Sequence, residues 1–305
     1  MHRLRLAAAS AIGVGVACAL VVALAHSNPP EAHAALRDTD PANACRLQPG
    51  QTHNVILDVP GQGTRTALVR LPSHTTSRPL PLVIVLHGAY GSGAFMESYT
   101  GFSQRADAAG FAVVYPSAGR HFWTLAPGSG PDDVAFINRL LDQLLSGGCF
   151  DAKRVSAAGV SNGGGLAARL ACELSGRLAA VAMVAGGYSQ IRDCHPDHPV
   201  SILEMHGTAD PVVPYRGGAG DVPRWVHRWV AHDGCDRHRA RSNPTSRVTQ
   251  YTWPYCHAGV VVEHLVIAGG QHQWPGSNPP DPGPRIGLSA TDEIWRFFQD
   301  RRLAS

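Results

Sequence analysis

Apolar and polar positions follow two patterns along the chain, and the pattern changes near residue 80. Before that point, residues 53–59 and 65–71 alternate apolar with polar side chains. This alternation predicts an antiparallel pair of strands at one edge of a sheet. After that point, continuous apolar runs alternate with segments whose apolar residues have helical spacing. Continuous apolar runs are typical of strands that are buried on both faces of a parallel sheet.

The later segments predict a regular succession of strands and helices. Strands are predicted at residues 82–86, 111–115, 154–158, 178–184, 199–206 and 259–268. Helices are predicted at residues 99–109, 133–145, 164–174 and 222–231. This alternation predicts an α/β fold with a mostly parallel central sheet, an antiparallel edge and helices on both faces. The functional site of such a sheet lies at the carboxyl ends of its strands.

The pentapeptide Gly159-Val160-Ser161-Asn162-Gly163 lies between a predicted strand and a predicted helix. A serine on such a sharp bend has an exposed hydroxyl, and the flanking glycines avoid clashes between strand and helix. The alternative is a glycine-rich turn with an incidental serine. To act as a nucleophile, Ser161 would need a base and an acid that orients the base.

Two later loops supply these partners in the required order. Asp210 follows the strand predicted at residues 199–206, and His272 follows the strand at 259–268 in a glycine-flanked loop. Serine, acid and histidine, each after a strand, is the chain order of the α/β-hydrolase arrangement. We therefore predict a catalytic triad of Ser161, Asp210 and His272.

Other acids and histidines are weaker candidates. The chain has 16 histidines, so each one has a low prior for catalysis. His264 lies inside a predicted strand, His206 would brace the loop after its strand, and His87 would shape another loop. Asp221 and Asp236 lie in charged, surface-like segments.

Acyl transfer also needs two backbone N–H groups that stabilise the oxyanion. One comes from the residue after the nucleophile, here Asn162. The other comes from the loop after an earlier strand, where the apolar run 82–86 leads into His87-Gly88-Ala89. We predict Ala89 as this second donor, with Gly88 as the alternative.

Four motifs in one order resemble the secreted esterase family of polyhydroxybutyrate depolymerases and feruloyl esterases, in particular its lipoprotein-like actinobacterial members. They are Leu86-His87-Gly88, Gly159 to Gly164, His206 to Tyr215, and Gly269 to Gly276. The resemblance extends from about Arg65 to Phe298 and implies an α/β-hydrolase fold and hydrolysis of carboxylic esters. It also places Ser161, Asp210 and His272 at the triad positions. In one departure, Gln271 and Gln273 flank the histidine where family members often have Gly and Thr.

Composition excludes several other classes of protein. The formal net charge is +3, and no basic run follows the N-terminus, so nucleic acid is not an expected partner. Cys194, His195 and His198 lie close together but lack the paired spacing of a zinc site. We expect neither a metal nor another cofactor.

The N-terminus has the pattern of an export signal. Basic residues precede the apolar run Leu6 to Ala25, and Ala32-His33-Ala34 offers a cleavage site for a signal peptide of residues 1–34. An uncleaved anchor is the alternative, and lipidation at Cys18 is a minor one. We expect secretion without stable membrane insertion, an extended leader at residues 35–50 and a single catalytic domain at residues 51–305.

Removal of this segment leaves an even number of cysteines, which in an exported chain predicts three disulfides. Six cysteines allow 15 connectivities, so the pairing stays open. Proximity in the sequence favours Cys235–Cys256 and Cys172–Cys194, and elimination then leaves Cys45–Cys149. The alternative is that some are free buried thiols.

The substrate is less well defined than the chemistry. Trp123, Tyr215 and Trp274 lie in loops near the expected site and either contact the substrate or simply pack. We predict a secreted serine carboxylesterase acting on feruloyl or acetyl esters of polysaccharides, or on short polyhydroxyalkanoates. A serine peptidase of similar fold and a non-catalytic protein that binds cell wall or carbohydrate are the alternatives.

Overall fold

One sheet of eleven strands organises the part of the chain that the computed structural model describes, residues 36–37, 47–74, 79–191 and 193–304. The strands are β1 Leu36–Arg37, β2 Thr52–Val59, β3 Gly63–Arg70, β4 Leu80–Leu86, β5 Ala112–Pro116, β6 Phe150–Val160, β7 Ala180–Val184, β8 Ser201–Gly207, β9 Ala240–Thr245, β10 Val248–Trp253 and β11 Val262–Ile267. The helices are α1 Gly93–Thr100, α2 Phe102–Ala109, α3 Asp133–Ser146, α4 Asn162–Glu173, α5 Val222–His232 and α6 Ala290–Phe298.

The strand order is β1-β2-β3-β5-β4-β6-β7-β8-β11-β10-β9. The central strands from β5 to β11 are parallel, and β2 with β3 forms an antiparallel pair toward one edge. These features confirm the predicted fold class. The chain adds β5 on one side of β4 and then crosses back to add β6 on the other side. Such a reversal opens a crevice at the carboxyl ends of the two strands, where ligands bind in α/β sheets.

Helices cover both faces of the sheet, as predicted. On one face α3, α4 and α5 pack their apolar residues, among them Phe136, Leu166 and Trp225, into one core. On the other face α1, α2 and α6 form a second core that includes Met96 and Ile294. The strands between these layers are buried on both sides, which explains their continuous apolar sequences.

One local prediction was wrong, and one pair of strands was missed. The helix expected at residues 99–109 is two helices, because Gly101 has a φ of 72° and breaks the chain between α1 and α2. A left-handed glycine commonly ends a helix. The antiparallel pair β9–β10 was not predicted at all, because β9 is an exposed edge strand of mostly polar residues.

Two disulfides lie on the side of the sheet that α4 and α5 cover. Cys172–Cys194 connects the end of α4 to the segment before β8, and Cys235–Cys256 connects the end of α5 to the segment after β10. Both are pairs that the sequence suggested. Cys149 is also disulfide-bonded, but Cys45, its expected partner, lies outside the described residues.

The expected signal peptide, residues 1–34, lies outside the described residues as well. Of the expected leader, residues 36–37 form β1, which pairs in parallel with β2. None of the helices in the described ranges is long and apolar enough to cross a membrane.

Candidate active site

Ser161 lies on a strained bend between β6 and α4. Its φ of 56° and ψ of −120° belong to a region that residues other than glycine rarely occupy. Its N–H donates to the carbonyl oxygen of Val184 at 2.9 Å, which ties the bend to β7. A Cβ at Gly159 would lie 2.3 Å from the carbonyl oxygen of Gly163, so the crossing of strand and helix admits only glycine there. The strained bend at Ser161 thus depends on the glycine at position 159.

Asp210 and His272 lie in the loops after β8 and β11, which are neighbouring strands. The two loops are joined by a hydrogen bond of 2.9 Å from the Ala209 N–H to the carbonyl oxygen of Gly270. The Nδ1 of His272 lies 2.7 Å from the Oδ2 of Asp210. The structure therefore brings the predicted acid and the predicted base into direct contact.

Ser161, Asp210 and His272 all follow the carboxyl ends of parallel strands, β6, β8 and β11, at one edge of the sheet. Among the hydrogen bonds of the described residues, none joins the Ser161 hydroxyl to His272. Catalytic hydrogen bonds of free enzymes are often long and tighten only when substrate is bound. The arrangement is a formed acid–histidine pair at the same sheet edge as Ser161, whose hydroxyl has no hydrogen-bond partner within the described residues.

The Asp210 carboxylate is fully buried and its oxygens are well supplied with donors. Its Oδ1 accepts hydrogen bonds from the N–H groups of Val212 and Val213, both at 2.8 Å. Burial alone would raise its pKa, but the hydrogen bonds from His206 and His272 hold the pKa of Asp210 well below its usual range. Asp210 is ionised at neutral pH and can hold a neighbouring imidazolium.

His206 extends this network into the protein interior. Its Nδ1 lies 2.9 Å from the Oε1 of Glu204, and its Nε2 lies 2.9 Å from the carbonyl oxygen of Val213 and 3.4 Å from the Oδ2 of Asp210. Burial opposes a charge on His206, but the hydrogen bonds with Asp210 and Glu204 raise its pKa to about 9. The imidazolium therefore stabilises the Asp210 loop from the protein interior, which is the role that the sequence suggested.

His87 is excluded as a base by its hydrogen bonds. It is completely buried, and burial lowers its pKa, so the ring is neutral. Its Nε2 accepts from the Ala118 N–H at 3.0 Å, and its Nδ1 therefore carries the proton and donates to the carbonyl oxygen of Gly88 at 2.7 Å. His87 thus fixes the loop that contains the predicted oxyanion donor.

The predicted oxyanion donors are available for a ligand. Asn162 is the first residue of α4, so its N–H has no acceptor within the helix. Within the described ranges, the Ala89 N–H donates to no protein acceptor either. This loop also approaches the nucleophile, because a Cβ built on Gly88 would lie 3.5 Å from the Cβ of Ser161.

Trp123 supports this loop from inside. Its side chain is 3% exposed, and its Nε1 donates to the carbonyl oxygen of His87 at 2.8 Å. The side chain of Asn162 pairs with the Trp123 backbone, accepting from its N–H at 2.7 Å and donating to its carbonyl oxygen at 3.1 Å. These contacts favour packing over substrate stacking for Trp123.

The other two loop aromatics that were considered as substrate contacts are also buried. Trp274 is 1% exposed, packs edge-on against Phe102 and donates from its Nε1 to the Thr291 hydroxyl. Tyr215 is 9% exposed and lies against the rings of His206 and His264. Burial favours packing for Trp274, whereas Tyr215 borders a separate cavity.

Exposed aromatic residues that sequence reasoning missed lie beside the oxyanion loop. Tyr90 is 81% exposed and Phe122 is 42% exposed, and their rings meet edge to face at 4.4 Å. The Tyr90 N–H donates to the carbonyl oxygen of His121 at 2.8 Å, and both residues have positive φ angles, of 64° and 60°. The sequence did contain a signal for both residues, because each is adjacent to a predicted site residue: Tyr90 follows Ala89, and Phe122 precedes Trp123.

The rival acids have structural roles. Asp221 caps α5, where its Oδ1 accepts from the Arg224 N–H at 2.9 Å, and Asp236 lies exposed beside His238. His264 is buried in β11. Within the described ranges, no cluster of three or more histidine, cysteine, aspartate or glutamate side chains is arranged to hold a metal ion.

The sheet order, the bend at Ser161 and the loops after β8 and β11 define the fold as that of an α/β-hydrolase. The acetyl xylan esterase from Aspergillus awamori has a TM-score of 0.63 and covers 82% of this chain and 99% of its own. A thermostable esterase has a TM-score of 0.57 and covers 82% of this chain and 63% of its own. At 15% and 17% sequence identity, these similarities establish the fold alone.

Sequence comparison then gives the family. Residues 66–213 match the family described as Esterase PHB depolymerase. The protein named "Putative esterase NocK" of Nocardia uniformis subsp. tsuyamanensis is 32% identical over 230 residues, 66% of this chain and 67% of that protein. Feruloyl esterase B of Piromyces equi is 30% identical over 229 residues, 68% of this chain but 42% of that protein, so the match spans less than half of this relative. The chain belongs to the PHB depolymerase esterase family, which confirms the resemblance of its motifs.

Proposed function

We propose that this chain is a serine carboxylesterase in which Ser161 is the nucleophile, His272 the base and Asp210 the orienting acid. The observation that carries the proposal is the 2.7 Å contact between His272 Nδ1 and Asp210 Oδ2, at the sheet edge where Ser161 lies on its strained bend. Membership of an esterase family supports the same reaction.

The reaction begins with proton transfer from serine to histidine. Because the Nδ1 of His272 donates to Asp210, its Nε2 carries a lone pair that can accept the Ser161 proton. The serine oxygen attacks the ester carbonyl, and the resulting oxyanion accepts hydrogen bonds from the N–H groups of Ala89 and Asn162. The intermediate then expels the alcohol, which takes its proton from His272.

The second half of the reaction releases the acid. Water gives a proton to the Nε2 of His272 and attacks the acyl carbonyl on Ser161. Collapse of the second oxyanion breaks the bond to the serine oxygen, which recovers its proton from His272. The ionised Asp210 stabilises the imidazolium that forms in each half. This sequence needs no metal or organic cofactor.

An aromatic acyl group is the substrate feature that the structure favours. Tyr90 and Phe122 form an exposed edge-to-face pair beside the predicted oxyanion donor. We expect the acyl chain of a bound ester to extend from the reacting carbonyl toward this pair. Aromatic rings prefer such partners and gain affinity from stacking. We propose a hydroxycinnamoyl ester on a polysaccharide, such as a feruloyl ester, ahead of an acetyl ester or a short polyhydroxyalkanoate.

Covalent labelling tests the nucleophile. A fluorophosphonate should label wild-type protein on Ser161, as mapped by mass spectrometry, and Ser161→Ala should lose both labelling and turnover while keeping its thermal unfolding midpoint. Ser98→Ala, in an exposed position on α1, is the matched control and should keep both. Failure of folded wild-type protein to label would favour the non-catalytic binding protein.

A substrate panel tests the reaction and its acyl group. The kcat/KM for methyl ferulate should exceed the values for acetylated xylan and hydroxybutyrate oligomers. Nitrophenyl acyl esters should also react far faster than matched anilides, since an amide has a poorer leaving group. Equal rates on the anilides would support the peptidase alternative instead.

We also propose that residues 1–34 direct export and that residues 51–305 form the catalytic domain. The disulfides Cys172–Cys194 and Cys235–Cys256 support an oxidising compartment. N-terminal sequencing of protein recovered from the medium of expressing cells should show that the mature chain begins at the residue after Ala34. Retention of residues 1–34 in a membrane fraction would support the uncleaved anchor.

A further inference from the structure

A separate cavity of about 660 Å³ lies between α5 and the strands β10 and β11. Its volume falls within the range of small-molecule sites. We call it the α5 cavity, and its lining residues define it: Thr208, Tyr215, Arg216, Pro223, Val226, His227, Arg239, Tyr251, Trp253, His264 and Val266. It borders the loop that carries Asp210 but contains none of the proposed catalytic residues.

The lining of the α5 cavity is rich in donors and contains no carboxylate. Arg216 and Arg239 contribute two positive charges, and neither has an ion-pair partner among the described residues. Hydrogen bonds from the N–H groups of Gly217 and Arg224, and to a smaller extent the charge of Arg216, lower the pKa of Asp221. The charge of Arg216 is therefore partly balanced by Asp221, whereas no ion pair engages Arg239 within the described residues, and both arginines are exposed.

Aromatic rings hold one of these charges in place. The guanidinium of Arg239 lies 4.1 Å from the ring centre of Tyr251 and 5.5 Å from that of Trp253. Stacking on aromatic faces orients an arginine without using its N–H donors. Arg239 can thus present its planar fork to an anion with little loss of side-chain freedom.

His264 supplies the second independent sign of a ligand. His264 is 4% exposed, and its Nε2 has no hydrogen-bond partner among the described residues. An unsatisfied polar atom in the protein interior destabilises the fold, so such atoms normally have a hydrogen-bond partner. Burial, together with the positive charge around it, lowers the pKa of His264 to about 3 and keeps the ring neutral.

We propose that the α5 cavity binds an anionic sugar, with a carboxylate or a phosphate between Arg216 and Arg239 and sugar hydroxyls near His264 and Tyr215. Two arginine forks match the geometry of either anion. A neutral imidazole and a phenol both donate and accept, as hydroxyl groups require. Burial raises the pKa of Tyr215 to about 12, so its hydroxyl keeps the proton. Resting on the polysaccharide ester of the proposed function, we assign the carboxylate of a uronic acid, which is the anionic sugar of polysaccharides.

Calorimetric titration of the full chain tests this site without using esterase activity. Galacturonic acid dimer and glucuronic acid should bind, xylobiose should not, and glucose 6-phosphate serves as the phosphate arm. Arg239→Gln and Arg216→Gln should each weaken binding about tenfold or more, since each removes a charge-assisted hydrogen bond. The matched control is Arg237→Gln, which removes one exposed charge outside the lining and should change binding less than twofold.

Each other outcome overturns part of the proposal. Binding of the phosphate but not of the uronates would overturn the carboxylate assignment. Equal binding in all three arginine variants, or binding of neither anion, would overturn the site itself. Because no ester is used, an inactive enzyme would contradict the proposed function and leave this test unaffected.

Discussion

The two halves of the proposed active site are held in place by different physics. Around Ser161, position is fixed by backbone geometry: a strained bend, a strand–helix crossing that admits only glycine, and a loop locked by neutral His87. Around Asp210, position is fixed by buried charge, through the hydrogen bonds that join it to His206 and His272. The nucleophile side should therefore be sensitive to added volume, and the acid side to charge and pH.

The largest effect is expected from a substitution that removes the charge of Asp210. Asp210→Asn should lower kcat by about 10⁴, because an amide cannot stabilise the imidazolium of His272 and favours the wrong tautomer. Steady-state kinetics on a nitrophenyl ester would measure it, with circular dichroism to show that the variant is folded. A loss below tenfold would mean that another residue is the acid.

The next largest effect is expected from one added methyl group near the strained bend at Ser161. In Gly163→Ala the new Cβ would lie 2.4 Å from the carbonyl oxygens of Leu86 and His87, so the oxyanion loop and α4 must move apart. Overpacking of this kind typically costs about 1–3 kcal/mol. Chemical denaturation should show that loss together with reduced kcat. At Gly187, where a Cβ would meet no atom within 4 Å, the alanine variant is the control and should be near wild type.

The pH dependence of stability sharpens the comparison. Because folding raises the pKa of His206 to about 9 from an ordinary value of 6.5, its stabilisation is complete below about pH 6.5. It is lost as the pH rises toward 9, a change on the order of 3 kcal/mol in the free energy of unfolding. Urea titrations of wild type and His206→Gln between pH 6 and 9.5 would measure it. The variant should show a flatter profile, and an equally steep one would contradict the charged state of His206.

The smallest effect concerns the exposed aromatic pair. Tyr90→Ala should raise KM for methyl ferulate severalfold, by about 0.5–1.5 kcal/mol of lost aromatic contact, and should leave KM for an acetyl ester nearly unchanged. Tyr255→Ala, another highly exposed aromatic site remote in sequence from the oxyanion loop, is the control and should change neither value. An equal rise for both esters would argue against acyl recognition by Tyr90.

Sequence reasoning succeeded where a pattern is local. The strand–turn–helix setting of Ser161 and the loops of Asp210 and His272 could be read because each depends on a few consecutive residues. Reasoning failed at Gly101, where a single left-handed residue divides one amphipathic segment into two helices. It also failed at β9, because the exposed, mostly polar residues of this strand do not alternate with apolar ones.

The sequence alone determined the fold class, the family motifs and the chain order of serine, acid and histidine, because hydrophobic period and turn chemistry are local properties. Only the tertiary structure decided which aromatics face solvent, how Glu204 and His206 support Asp210, and that Arg216 and Arg239 share one cavity with His264. Burial and the pairing of charges depend on residues far apart in the chain, and only folding brings those residues together.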